Sequence, residues 1–329
     1  MTTTMQGPRR GPKNGPGEAR PKAVTSLGDR LFAALTLGAS LIILAALAGV
    51  FVFLFIKGAP GFTQAADVYG PRATDFLGYV APLLGGTVIA AIIALIIAVP
   101  LAWGIALVIS HYAPKYIAVP VAYLVDLLAA VPSVVFGLWG VIVLAPKMVP
   151  IFEFLNKYLG WIPIFAGDPN TGDISSSGRT LVTAGVVLAI MILPIITAIT
   201  REVFSRTPRL NQEAALALGA TRWEMMRLTV FPYGRSGMVS ATMLGLGRAL
   251  GETMAVAMVL SLGAWTDFRL LLPGNSSIAA NIASKYKERS DELLSVLIAT
   301  GLVLFLLTFL VNFAARWIVD RSERKMASA

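Results

Sequence analysis

The chain has no cysteine and a single histidine, His111. The first absence excludes disulfides and thiolate chemistry, and the second argues against a dedicated metal site. Charge is scarce too: 14% of the residues are Asp, Glu, Lys or Arg, whereas a soluble domain carries about 25%. No G-x-x-x-x-G-K-[ST] segment is present to cradle nucleotide phosphates. H-E-x-x-H and G-x-S-x-G are missing as well, which leaves little for a membrane enzyme to work with. Any ATP-driven work must come from another polypeptide.

What is abundant is apolar sequence. Of the 329 residues, 56% are hydrophobic, and runs of the length that crosses a bilayer, about 17–25 residues, recur. An all-α integral membrane protein with six transmembrane helices is expected, with spans at 31–56, 81–110, 116–144, 180–200, 237–263 and 293–318. Residues 1–29, rich in Gly, Pro, Arg and Lys, read as a disordered basic tail. Residues 30–320 form the membrane domain and 321–329 a second tail. Of the 27 Lys and Arg residues, 17 fall on connections that face the cytoplasm if the N-terminus does, and nine on the other side. This asymmetry predicts both termini inside. It also accounts for the net charge of +9 without nucleic acid.

The outer connections are unequal. Segment 145–179 is the longest; 146–159 suits an interfacial helix and 167–178 a polar, turn-rich loop. A shorter loop, 274–291, carries Lys285, Lys287 and Arg289. Either loop can meet a soluble partner or merely join two spans.

The inner loop 201–236 is punctuated like two short helices. Thr207 can cap the first, with Pro208 at its first position. Leu210, Ala214, Ala217 and Leu218 then share one face, and Gly219 can end the helix in a left-handed conformation. Thr221 and Glu224 have the spacing of a capping box for the second. Pro232 marks where that helix ends or bends. Glu213 can pair with Arg209 or with a basic group on a partner, and Arg222 and Arg227 can face phospholipid headgroups. Two readings stand: an amphipathic hairpin lying on lipid, or a helix that fills a socket on a partner and transmits force.

Three charged residues sit deep within spans, where hydrocarbon is expected: Asp126, Arg248 and Glu252. Each costs about 2.5–3.5 kcal/mol near a span centre. Counted from Gly237, Arg248 lies roughly 16 Å deep, and Glu252 is one turn on, at a spacing that allows pairing. The pair either neutralises itself as glue between spans, or lines a polar path in which Arg248 attracts an anion and Glu252 tempers it. Asp126 is equally open: glue to a hydroxyl or to Arg248, or part of a path. Gly245, Gly247 and Gly251 leave a bare strip beside Arg248, and Gly247-x-x-x-Gly251 permits close helix approach. In the third span Pro132 frees a carbonyl that Ser133 or a water can satisfy. The result is a kink lining a cavity or a tolerated bend.

Three blocks together resemble a known family. Glu213-Ala214-Ala215, with Gly219 and Pro232 downstream, looks like the EAA loop of ABC-importer permeases. Gly247-Arg248-Ala249-Leu250-Gly251-Glu252-Thr253-Met254-Ala255 is similar to the fifth-span signature of the phosphate-importer permeases, and the segment from Leu128 to Gly137 to their third-span signature. The resemblance covers about residues 27–320. The EAA loop is specific only to ABC importers as a class, whereas the Arg248 block is selective for the phosphate group. The sister subunit PstA carries a related block; the long 145–179 loop and Met254-Ala255-Val256 point away from it.

The resemblance implies a type I ABC importer permease fold with a cytoplasmic coupling helix, in the bacterial inner membrane. It places Glu213, Ala214, Ala215 and Gly219 at the ATPase contact, and Arg248 and Glu252, with Asp126, Pro132 and Ser133 beside them, on the substrate path. It implies a second, PstA-like permease, a PstB-like ATPase dimer that uses ATP and Mg, and a PstS-like phosphate-binding protein outside. No cofactor is expected on this chain. Permeases for sulfate or molybdate are the nearest alternative, and an ATP-independent secondary transporter is the alternative of another class.

Overall fold

The computed structural model describes residues 27–70, 73–261, 269–287 and 290–327. The expected tail therefore lies outside the described residues up to position 26. Every regular element among the described residues is helical. In chain order they are α1 (Leu27–Gly58), α2 (Phe76–Leu107), α3 (Lys115–Ala129), α4 (Ser133–Trp139), α5 (Ala145–Leu159), α6 (Leu181–Ser205), α7 (Arg209–Ala217), α8 (Arg222–Met225), α9 (Phe231–Gly251), α10 (Met254–Val259), α11 (Ile278–Lys285) and α12 (Asp291–Ala327). Among the described residues, five stretches are long and apolar enough to cross a membrane: Leu27–Phe62, Phe76–Tyr112, Ser133–Leu159, Leu181–Ser205 and Asp291–Trp317. The chain divides into two compact units, 1–50 and 51–329.

Four of the six expected spans are single helices. The other two are interrupted, which is why six continuous spans are not found. The third breaks at Ala130–Pro132: α3 stops after 15 residues, about 22 Å of rise against a hydrocarbon core of about 30 Å. A separate helical run then starts at Ser133 and passes through a π-helical turn at Gly140–Leu144 into α5. The fifth breaks at Glu252, whose backbone is extended (ψ 124°). Its helix α9 contains five glycines and two arginines, so it lacks the uniform apolarity of the other spans. Part of the expected 237–263 span, residues 262–263, lies outside the described residues. Two further differences concern the loops. The expected 274–291 connection folds into α11, and the last span continues without a stop into the segment read as a tail.

α6 is the axis of the second unit. It packs along α2, α9 and α3. On α2, Ala90, Ala94, Ala98, Ala102 and Ala106 recur every fourth residue and are all at most 2% exposed. This spacing puts five methyl groups in one line down the helix. On α6, a Cβ added to Gly185 would fall 2.6 Å from Ile93 Cγ2. On α9 the buried line is Ala241, Gly245 and Ala249, with Gly245 seated on Ile196. Between apolar helices in lipid there is little hydrophobic drive to associate, so close backbone approach through small residues supplies the contact energy instead. Side-chain volume along this seam is the quantity the fold controls.

At the end of the helices away from α7, backbone and side-chain bonds stitch the loops together. Leu270 N–H donates to the Ile164 carbonyl at 3.0 Å and Ser175 N–H to the Leu271 carbonyl at 3.1 Å. Arg269 Nη1 donates to the Gly167 carbonyl at 3.1 Å. Beneath them Met148, Phe152 and Leu271 form a small apolar cluster. The segment after α1 is locked to α12 in the same way, because Gly61 lies directly against the Ser295 carbonyl, where a Cβ has no room.

The seam gives a direct test. Ala98→Leu adds three carbons where no free volume exists, and overpacking of that kind costs about 1–3 kcal/mol. The detergent-solubilised protein is expected to melt several degrees lower by thermal scanning, whereas Ala46→Leu, at an exposed position of α1, is expected to leave the midpoint unchanged.

Candidate functional site

The two interruptions meet. α4 follows the third-span break and α10 the fifth-span break, and the two short helices pack on each other. The contact is a glycine one: a Cβ on Gly137 would fall 2.8 Å from Ala255 Cα, and one on Gly140 would fall 2.7 Å from Val187 Cγ2 and 3.0 Å from Val259 Cγ2. The segments 128–137 and 247–255, singled out separately in the sequence, thus form one place in the fold.

Each break is closed by its own chain. The Leu128 carbonyl, which Pro132 cannot satisfy for want of an N–H, accepts from Val131 N–H at 3.3 Å. Neither Ser133 nor a water is needed for it. Pro132 is exposed and Ser133 half-buried at the start of α4. At the second break the Glu252 carboxylate accepts from Ala255 N–H at 3.1 Å, and the Thr253 hydroxyl donates to the Gly251 carbonyl at 3.2 Å. Glu252 therefore caps the first turn of α10.

This corrects the expected Arg248–Glu252 pair. Among the described residues the ion pairs are Arg201–Asp126 and Arg206–Glu202. The helix that would stack Arg248 and Glu252 on one face ends at Gly251, between them. The glycine strip is also used differently. A Cβ on Gly247 or Gly251 would meet nothing within 4 Å among the described residues, so Gly247-x-x-x-Gly251 makes no helix contact among them. Gly245 makes one instead. Arg248, half-buried, stands beside an unfilled strip rather than in a packed seam.

Asp126 finds a partner that was not expected. Arg201 Nη2 lies 3.3 Å from its Oδ2, tying α3 to the last turn-and-a-half of α6. Arg201 reads as a loop residue in the sequence, but α6 runs on to Ser205 and carries it. The structure does not bring Asp126 into an ion pair with Arg248.

Arg179 was missed. Its Nη2 donates to the carbonyls of Met258 (2.9 Å) and Leu260 (2.8 Å), and its Nε to that of Val259 (3.3 Å). One guanidinium thereby satisfies the carbonyl end of α10. In the sequence an arginine just before a span reads as a topology charge; its partners are about 80 residues away, and no local signal marks them.

At the other end, the 201–236 loop is a rigid hairpin. α7 ends at Gly219, whose φ of +88° lies in the left-handed region; the Ala220 N–H donates to the Ala215 carbonyl at 3.2 Å. The capping box at Thr221 and Glu224 is complete. Two details differ from expectation. Pro208, not Thr207, is the N-cap of α7, because Thr207 is turned inward and its carbonyl accepts from Gln212 Nε2 at 3.1 Å. Pro232 does not end the second helix: the π-helical turn at Met226–Val230 absorbs the missing donor and leads straight into α9. Phe204 and Phe231 meet edge to face with centroids 5.8 Å apart, and Met225 and Met226 are buried beside them. Ala215 packs onto this cluster. The opposite face of α7 is bare: Leu210 is 76% and Leu218 90% exposed, with Glu213, Ala214 and Ala217 exposed alongside. Glu213 has no ion pair among the described residues.

The Thr221 backbone N–H, and then its hydroxyl, hold the Glu224 carboxyl below its ordinary range. A carboxylate lowered in the folded state contributes order above its ordinary titration range and loses it as pH falls through the lowered one.

Comparison with known proteins follows from this geometry. Residues 98–327 match the family model described as "Binding-protein-dependent transport system inner membrane component". The chain is 46% identical over 298 residues to the "Phosphate transport system permease protein PstC 2" of Mycobacterium tuberculosis, covering 88% of this chain and 91% of that one. It is 38% identical over 315 residues to the "Phosphate transport system permease protein PstC" of Mesorhizobium japonicum, covering 91% and 92%. Among solved structures it resembles a bacterial ABC transporter involved in the import of the acidic polysaccharide alginate, with a TM-score of 0.53 and 17% identity, over 89% of this chain and 96% of that one. That likeness establishes the type I ABC importer permease fold.

Two outcomes test the site. Gly137→Ala pushes against the Ala255 backbone, which cannot yield as a side-chain tip can; a loss of about 1–3 kcal/mol is expected, read as a lower melting midpoint, while Gly247→Ala leaves it unchanged. Thr221→Ala removes one of the two donors to Glu224. Limited proteolysis of the hairpin is then expected to set in at higher pH, during acidification, than in the unaltered protein.

Proposed function

Because the chain belongs to the family of binding-protein-dependent transport system inner membrane components, we propose that it is a permease subunit of an ATP-driven importer of inorganic phosphate. As a multi-pass membrane protein with no P-loop, it leaves hydrolysis of ATP, with Mg, to a partner. The observation that carries the reading is the bare face of α7. Leu210 and Leu218 project from a helix that ends on a left-handed glycine and is anchored to the core through Ala215. Covering each is worth about 1.5–3 kcal/mol, and a rigid helix transmits a push where a flexible loop absorbs it. Glu213, Ala214, Ala215 and Gly219 are the residues through which an ATPase dimer of the PstB type would drive it.

The substrate follows from chemistry and from the curated relatives, which are named for phosphate transport. Phosphate carries one to two negative charges near neutral pH. Arg248 offers a compensating charge beside an unfilled strip, at the point where α9 gives way to the α4–α10 contact. Glu252 would repel phosphate if its charge were free; as the cap of α10, its carboxylate is engaged by Ala255 N–H. Pro132 and Ser133 open the facing break, and Asp126 holds Arg201 at the α6 end of the path. A second, PstA-like permease would complete the conduit on the open side of α3, α4 and α9, and a PstS-like protein would deliver phosphate at the stitched loops. Both termini and α7 then face the cytoplasm, and the membrane is the bacterial inner one. Transport proceeds by alternating access: closure of the ATPase moves α7, and the breaks let the cavity open first outward and then inward.

The reading is tested with the complete assembly in proteoliposomes. Phosphate uptake is expected to require ATP and to resist excess sulfate or molybdate. Arg248→Gln is expected to lower uptake about tenfold or more, the scale of one lost charge-assisted contact, without loss of assembly. Leu218→Asp is expected to abolish ATPase capture. Uptake that persists without the ATPase, or an Arg248→Gln variant with undiminished uptake, would refute it.

A further inference from the structure

α10 is a helix of six residues flanked by extended backbone: Glu252 (ψ 124°) lies just before its Thr253 N-cap, and Leu260 after it is extended (ψ 143°). A helix so short has no stability of its own. Besides its packing on α6 and α11, three contacts hold it. Glu252 caps its amide end, the glycines of α4 and the following turn pack its side, and Arg179 takes the Met258, Val259 and Leu260 carbonyls at its far end. Val259 and Leu260 are fully buried, so those carbonyls have little recourse to water. The arginine sits one residue before the Thr180 cap of α6, the axial helix. It therefore ties the carbonyl end of α10 to the start of the axial helix, in addition to the apolar packing of α10 on α6.

We infer that Arg179 is a positioning residue for solute passage: its guanidinium clamps the carbonyl end of α10, and through α10 it fixes the Glu252 carboxylate and the α4 contact at the junction next to Arg248. Without the clamp, α10 is free to tilt about Thr253. Its amide end then no longer holds Glu252, and the junction no longer presents one defined opening to each ATPase cycle. A lysine supplies the charge but not the fork that reaches three carbonyls, so it restores part of the function.

The inference rests on the transport reading above, and the experiment separates the two. The complete complex in nanodiscs is compared as wild type, Arg179→Gln and Arg179→Lys by hydrogen exchange and, in proteoliposomes, by ATP-driven phosphate uptake. In Arg179→Gln the amides of residues 255–260 are expected to exchange about tenfold faster or more, with α6 unchanged. The maximal uptake rate is expected to fall about tenfold while the half-saturating phosphate concentration stays within about twofold. Arg179→Lys is expected to lie between. Should Arg179→Gln not assemble, the same shifts, smaller in size, are expected of Arg179→Lys. Unchanged exchange at 255–260 in the assembled variants overturns the clamp. Faster exchange with wild-type uptake overturns its role in passage. If the wild-type complex carries no phosphate, the transport reading fails while the exchange result still judges the clamp.

Discussion

A backbone surrounded by hydrocarbon must find all its hydrogen-bond partners within the protein, and this requirement explains how two spans can be broken here. Each N–H or C=O released by a break costs several kcal/mol unless it is met. The chain meets them locally at Pro132, where Val131 turns back to Leu128. At Glu252 it needs side chains, one from the break itself and one, Arg179, from the start of another helix. Placing both breaks against each other has a further economy: the glycines of α4 let the two short helices touch backbone to backbone, so neither exposes polar groups sideways.

The unbroken helices obey the complementary rule. Away from the breaks, α2, α6 and α9 approach closely through alanine and glycine, and the sequence there is monotonous. Beside the break at Glu252, small residues are present but unfilled among the described residues. Gly245 and Gly247 are two residues apart on one helix, yet one is pressed on Ile196 and the other faces free space. The same residue type serves closure on one side of α9 and clearance on the other.

Much of this was legible beforehand. The all-helical membrane class, the α7–Gly219–α8 hairpin and its capping box depend on interactions within four residues or on composition, and the chain states them openly. The 128–137 and 247–255 segments that meet in the fold were also singled out, because charge, proline and glycine are conspicuous in apolar surroundings. What was not legible depends on distance in sequence. The periodicity that placed Arg248 and Glu252 on one face assumed a helix that ends between them. The partner of Asp126 is 75 residues away. The carbonyls held by Arg179 lie beyond any spacing rule.

The stitched loops at the end opposite α7 have a mechanical corollary. Bonds from Arg269, Leu270 and Ser175 weld the 145–179 segment to the stretch leading into α11, so that end behaves as a stiff collar. If α7, set into the core by Phe204 and Phe231, acts as the lever proposed above, such a collar would take up little of its stroke. The displacement would then fall on the joints between them, the two interrupted spans, and the surroundings of Arg248 would be where it is most felt.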